Sequence, residues 1–269
     1  ARALLRRTGT AGRLTAALTL LCFFAAMLMT NDVALLTFVP LTLFLIPRER
    51  ESVRIWTVVL ETVAANLGSL TTPVGNPQNL YLYNHYGLDA PSFFHLRLPL
   101  TAVSLLAVIL LCRFTPGRRE AVKADITVRP LQRRGAVQYG VLFLLCLLTV
   151  FHVIPVLACL IIVAGALLIT DRALLKKVDW LLLATFVCFF VFVGNLSAVP
   201  AISTFLSQIL TGRALLVGAL TSQVTSNVPA AVLLAPFTDH AAALLPGTTL
   251  ARLATPAAPP PPPASSPPS

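Results

Sequence analysis

The sequence predicts an all-α polytopic membrane protein, an inverted repeat with re-entrant helical hairpins and broken helices. Three observations predict it. The 269-residue chain is 57% hydrophobic and only 11% charged, against about 25% charged residues in soluble domains. Its Lys and Arg residues fall mainly in short connections between apolar runs, the distribution that orients membrane proteins. Residues 61–83, ETVAANLGSLTTPVGNPQNLYLY, set glycines, prolines and a run of Thr, Asn and Gln inside a stretch long enough for a span. Non-helical backbone survives at bilayer depth only against protein or a watery cavity. Two half-helices meeting at an unwound 68–79 therefore aim free helix ends and side-chain amides at something bound near the midplane.

Charge excludes one function class. A net charge of +10 is compatible with nucleic acid only when the basic residues share one folded face, and here they are dispersed among connections. Cys22, Cys112, Cys146, Cys159 and Cys188 lie in or beside apolar runs without CxxC spacing, so they read as buried small hydrophobes, neither metal ligands nor disulfides. No signal peptide is visible, the first residue is Ala1, and Met27 and Met29 are the two methionines. The sequence reads as a chain truncated at both ends.

The elements follow in order. Residues 1–13 carry Arg2, Arg6, Arg7 and Arg13 and are expected on the cytoplasmic side. Residues 14–47 are apolar around Thr30-Asn31-Asp32, a helix N-cap sequence. Each flanking arm falls short of the ~20 residues a crossing needs, so a re-entrant hairpin is expected over 14–47 with its polar tip at the midplane. A broken helix over 55–83 follows, ending in the interfacial aromatics Tyr81, Tyr83, His85 and Tyr86. An outer loop around 87–91 leads to a plain span over 96–112, closing a first repeat at 1–113. Residues 114–134 form a basic linker, expected to be cytoplasmic, and 135–246 an incomplete second repeat. That repeat comprises spans at 136–152 and 153–170, a third from Trp180 to Asn195, a short interfacial piece at 201–210 and a second re-entrant hairpin at 214–240. Residues 247–269, ending in PAAPPPPPASSPPS, are expected to be a disordered Pro-rich tail.

The two hairpin tips match. Asn31 precedes Pro40 at the spacing at which Asn227 precedes Pro236, and the loop charges bring the two tips in from opposite faces. That is an inverted-repeat arrangement, common among secondary transporters. Carried forward, the same alignment maps Glu61 to position 257 and Gly75 to 271, so a second broken helix would begin in the tail and run past its end.

Candidate site residues cluster at the tips and the break. Asp32, a carboxylate at bilayer depth, marks a site by default, with helix capping as its plainer role. Thr30, Asn31, Thr71, Thr72, Asn76 and Asn79 offer oxygens to a hard cation or amide and hydroxyl hydrogens to an oxyanion. Gly68 and Gly75, with Pro73 and Pro77, break the helix around them. Asn195, Thr225, Ser226 and Asn227 are the second-half counterparts. Sodium is a candidate at Asn31, Asn76 and Asn227. Helix–helix glue is the plainer reading of any one of these groups. Glu61 is either a second ionisable site or a packing residue. His85, His95, His152 and His240 lie near membrane edges. No G-x-S-x-G, H-E-x-x-H or P-loop occurs, and no catalytic residue or cofactor is assigned beyond a coupling Na+ or H+.

TNDVALLTFVPL at 30–41, followed by ANLGSLTTPVGNPQNLYL at 65–82, resembles the ion transporter superfamily, and within it the citrate-transporter-like and arsenite-permease-like membrane proteins. The resemblance covers most of 14–236. It implies inverted repeats, two re-entrant hairpins, two broken helices, a homodimer when full length, and elevator-like movement. It also implies secondary transport of a small anion, such as a di- or tricarboxylate, sulfate or an arsenite-like species, driven by Na+ or H+ across the cytoplasmic membrane. The hairpin-tip Ser/Thr-Asn of such carriers falls on Thr30-Asn31 and Ser226-Asn227, and the first broken-helix loop on 68–79. Asp32 stands where many sodium-coupled carboxylate carriers have an uncharged residue, which leaves proton coupling open. A sodium–proton antiporter, an inactive fragment and an intramembrane enzyme using Asp32 and Glu61 are the competing readings.

Overall fold

The computed structural model describes residues 9–121, 133–225 and 227–254. Among the described residues there are thirteen α-helices and no strand, with one isolated bridge between Thr10 and Ala121. The protein is an all-α polytopic membrane protein. Two of these helices are long and apolar enough to cross a bilayer, and up to four if each bent pair counts as one span.

Helix α1 (Ala11–Leu28) stops where Thr30 turns extended and its hydroxyl accepts the Val33 N–H at 3.4 Å, starting α2 (Asn31–Leu45). Ala34 then packs with Cys22 and Ala26, while Leu45 and Ile46 return to Ala11, Leu14 and Leu18. The two arms are therefore antiparallel and share one core. A 3-10 turn, Arg48–Arg50, leads into α3 (Glu51–Gly68), and the chain bends by 113° there. The stripe Val53, Thr57, Leu60, Glu61, Ala64, Ala65 and Gly68 recurs at helical spacing and is buried. Its small members bring α3 close to α1, where the Thr15 and Thr57 hydroxyls meet at 2.8 Å.

Helix α3 ends at Gly68, and the chain resumes as α4 (Pro77–His85) after an irregular 69–76 that holds one 3-10 turn, Pro73–Gly75. Helix α5 (Ala90–Leu111) begins earlier than the span expected over 96–112. Pro91 lies in its first turn, where a missing N–H costs nothing, so the proline read as a loop signal is a helix start.

Helices α6 (Arg133–Val150) and α7 (Val156–Thr170) run antiparallel, with Gln138 on Thr170 at 2.7 Å and Tyr139 on Asp171 at 3.3 Å. The turn between them brings His152 onto Tyr83 and within 3.0 Å of Asn84. A four-residue α8 (Arg172–Leu175) precedes α9 (Trp180–Ser197), which bends by 95° into α10 (Pro200–Leu210).

Two further arms, α11 (Ala214–Thr225) and α12 (Asn227–Leu234), lead through a 3-10 turn, Ala235–Phe237, to α13 (Ala241–Ala254). Gly218 faces Leu244 and Thr248, and Gly247 sits against the Leu215 backbone, so α13 lies tightly on α11. The order of the first three helices, two arms and then a helix packed on the first arm, thus recurs. The expected tail at 247–269 is corrected in part: 247–254 are helical, because packing on α11 outweighs the weak local propensity of Gly247, and the rest lies outside the described residues. Part of the 114–134 linker, residues 122–132, also lies outside them. Cys146 and Cys188 are exposed, and only Cys22, Cys112 and Cys159 are buried.

The largest core cluster joins the two halves. Leu82, Tyr83 and Phe93 pack with Leu210, Ala231, Leu234, Leu244 and Leu245, and the Tyr86 hydroxyl donates to the Thr238 carbonyl at 2.8 Å.

Candidate functional site

The break between α3 and α4 is held by its own side chains. Pro73 and Pro77 deny the helix two donors, so the freed backbone oxygens need other partners. Asn79 supplies them: its Nδ2 donates toward the carbonyls of Ser69 at 3.1 Å, Leu70 at 3.3 Å and Thr72 at 3.1 Å. Three oxygens thus share the two hydrogens of one amide. Asn76 caps α4 by accepting the Asn79 N–H at 2.9 Å, and its Nδ2 reaches the Ser69 carbonyl and hydroxyl at 3.3 Å. Thr72 accepts from the Gly75 N–H at 3.1 Å and donates to the Met27 carbonyl, tying the break to the end of α1. Thr71 meets Thr101 of α5 at 3.0 Å.

Gly68 and Gly75 are required by close approach. A methyl group at Gly68 would collide with the Phe23 carbonyl, and one at Gly75 with the Ser69 backbone. Gly68→Ala is expected to destabilise the protein by about 1–3 kcal/mol through overpacking, measured as a lower denaturant midpoint in detergent. An unchanged midpoint would show that α1 and α3 are not held this closely.

The first hairpin tip lies beside the break. Asn31 is buried and its Nδ2 donates to Asn66 Oδ1 at 3.2 Å, two residues before Gly68. Thr30 caps α2. Asp32 is exposed in the first turn of α2, where its charge complements the helix dipole.

The second-half residues are placed less uniformly. Asn227 is buried at the start of α12, the helix whose Ala231 and Leu234 pack on Leu82 and Tyr83 of α4. Thr225 is exposed and donates to its own helix at the Thr221 carbonyl. Asn195 is exposed on α9. Ser226 lies outside the described residues.

Two charged residues matter more than sequence reading indicated. Arg97 is 1% exposed, with Nη2 donating to Asn79 Oδ1 at 2.9 Å and to the Leu245 carbonyl of α13 at 3.0 Å. It links the break to the second half and brings a positive charge to the buried amide cluster. Placing the span's start at Leu96 hid it at an apparent membrane edge; a basic residue inside a 22-residue apolar helix is the signal that finds it. Glu61 is 0% exposed on α3, accepting from the Thr42 hydroxyl, while the Cys22 thiol donates to the Glu61 backbone carbonyl at 3.6 Å. Its Oε2 has no hydrogen-bond partner among the described residues.

The citrate transporter family pattern matches residues 1–258. The chain belongs to the citrate transporter family. It is 33% identical over 243 residues to the inner membrane protein YbiR of Escherichia coli K12, an alignment covering 87% of this chain and 63% of that one. It is 32% identical over 228 residues to MJ0456, an uncharacterized transporter of Methanocaldococcus jannaschii, covering 82% and 61%. The chain spans about three-fifths of the length of these two relatives.

Proposed function

We propose that the full-length protein is a secondary active transporter of the cell membrane that moves a small anion, coupled to Na+ or H+. The observation that carries this reading is the buried Arg97 guanidinium, held against an unwound, amide-lined break where the two halves pack. A transient anion is favoured there by positive charge and by free helix ends, and family membership supports transport. In this reading the two sets of arms are re-entrant hairpins of an inverted repeat, and the 114–134 linker is cytoplasmic. The site comprises the first tip, the break and Asn227, with a second copy as dimer partner. Glu61, the wholly buried carboxyl, is the residue we assign to a coupling proton; sodium at Asn31, Asn76 and Asn227 is the competing arrangement.

Asn76 already spends its amide oxygen on the α4 cap, so a sodium ion there shares that oxygen with a backbone N–H. Radiolabelled uptake into proteoliposomes tests the reading, using citrate, succinate, sulfate and arsenite with sodium and pH gradients imposed separately. Accumulation of one anion under one gradient is expected. Cation exchange without any anion requirement would instead make the protein a sodium–proton antiporter.

A further inference from the structure

Away from the break, a hollow of about 640 Å³ opens where α1 starts and α5 ends. Arg13, Arg113, Arg118 and Arg119 line it, and Ala16 and Ile109 add an apolar part to the lining. The chain after α5 is built into this place. The Ala11 and Gly12 N–H groups donate to the carbonyls of Glu120 at 2.9 Å and Arg118 at 3.1 Å, and Thr10 pairs with Ala121. A turn at Gly117, whose φ is +56°, and the Thr115 hydroxyl on the Cys112 carbonyl at 2.8 Å fix the strap's approach. Gly12 admits the Arg118 side chain, since a methyl group there would collide with it.

The charges around the hollow are one-sided. Among the described residues, its lining contains four guanidinium groups and no carboxylate. Glu120, which follows Arg119 in the chain, is engaged by Arg50 at 3.0 Å, and none of the four arginines makes an ion pair among the described residues. Guanidinium groups match phosphate oxygens in geometry and charge.

The apolar part of the lining tells which phosphate. Ile109 is an exposed apolar residue on a membrane-length helix, and Arg113 follows after the last apolar turn, so the hollow straddles the level where acyl chains give way to head groups. We propose that it is a binding site for the phosphate of an anionic membrane lipid, with the glycerol and first acyl carbons against Ile109 and Ala16. Basic pockets at helix ends bind such head groups in the same way. The site is separate from the break and does not depend on which solute is carried.

The test uses the full-length protein in mild detergent, titrated with phosphatidylglycerol, with phosphatidylcholine and with inorganic phosphate. Thermal midpoint and native mass spectrometry are the readouts. Phosphatidylglycerol is expected to raise the midpoint and to remain bound in the spectrum. The double variant Arg118→Gln/Arg119→Gln, both positions exposed, is expected to bind it about thirtyfold more weakly, from about 1 kcal/mol per basic residue near a membrane surface. Should the double variant melt early without lipid, Arg113→Gln, on the helix end and not on the strap, carries the same comparison. Equal response to both lipids, or unchanged affinity in the variants, would overturn the proposal. Displacement of the lipid by millimolar inorganic phosphate would reassign the hollow to a soluble phosphate and overturn the lipid assignment.

Discussion

Asn79→Ala is expected to abolish anion uptake and to lower stability by about 2–4 kcal/mol, since each buried polar group deprived of its partner costs about 1–3 kcal/mol. The substitution removes the donor to the Ser69, Leu70 and Thr72 carbonyls and one acceptor of Arg97 in a single step. Ser69 keeps the Asn76 amide, which holds the estimate below a simple sum. Asn79→Asp separates the two functions of the residue. It retains an acceptor for Arg97 but points an oxygen at carbonyl oxygens, so it is expected to stay as unstable as the alanine variant. Denaturant titration in detergent together with counterflow in liposomes reads both. A stable Asn79→Asp protein with normal uptake would show that the carbonyls are satisfied some other way.

Glu61→Gln is expected to leave stability within about 1 kcal/mol of the parent, because the amide has the shape of the carboxyl and can still accept from Thr42. Uptake driven by a pH gradient is nevertheless expected to fall tenfold or more, while exchange of labelled for unlabelled anion at equal pH persists. Loss of a titrating oxygen at an unchanged fold can do this; loss of packing cannot. The groups around Glu61 make the interpretation clean. Cys22 faces it from α1 and Thr42 from α2. Asp32 of α2 is at the exposed tip, Cys112 after α5 lies on the Leu60 and Ala64 side, and Arg97 of α5 is directed at Asn79 and Leu245. Glu51 and Arg54 sit about 15 and 10 Å down the same helix axis, at a rise of ~1.5 Å per residue. Glu61→Ala, by contrast, opens a cavity and strands Thr42, and is expected to destabilise by about 2–4 kcal/mol. Full pH-gradient drive in Glu61→Gln would remove this residue from the coupling step.

The break and the first tip were legible because their chemistry is local. Gly68, Pro73, Gly75 and Pro77 cannot continue a helix wherever the chain lies, and Thr30 announces a cap from its position between apolar arms. What was illegible depends on which face a residue presents after folding. Asp32 and Glu61 are equivalent as carboxylates in an apolar sequence, yet one is an exposed cap and the other is enclosed by α1 and α2. The spacing of Thr57, Glu61, Ala64, Ala65 and Gly68 did carry that information, as a stripe of small and polar residues along one side of α3. Arg97 is hard to place from the sequence because Pro91 signals a loop and a helix start equally well, and only the latter puts the arginine inside the span. Helix α13 could not be read at all, because its partner is Leu215 and Gly218 of α11, a tertiary contact with no local signature.

The strap from Thr115 to Ala121 has a mechanical consequence. Its backbone is clipped to the foot of α1, and its Glu120 grips Arg50 at the entry to α3, so both ends of the first hairpin are fastened to the exit of α5. If this hairpin shifts as a rigid body between inward-open and outward-open states, the end of α5 and the four arginines must ride with it. No pivot for such a stroke can sit between Leu111 and Ala121.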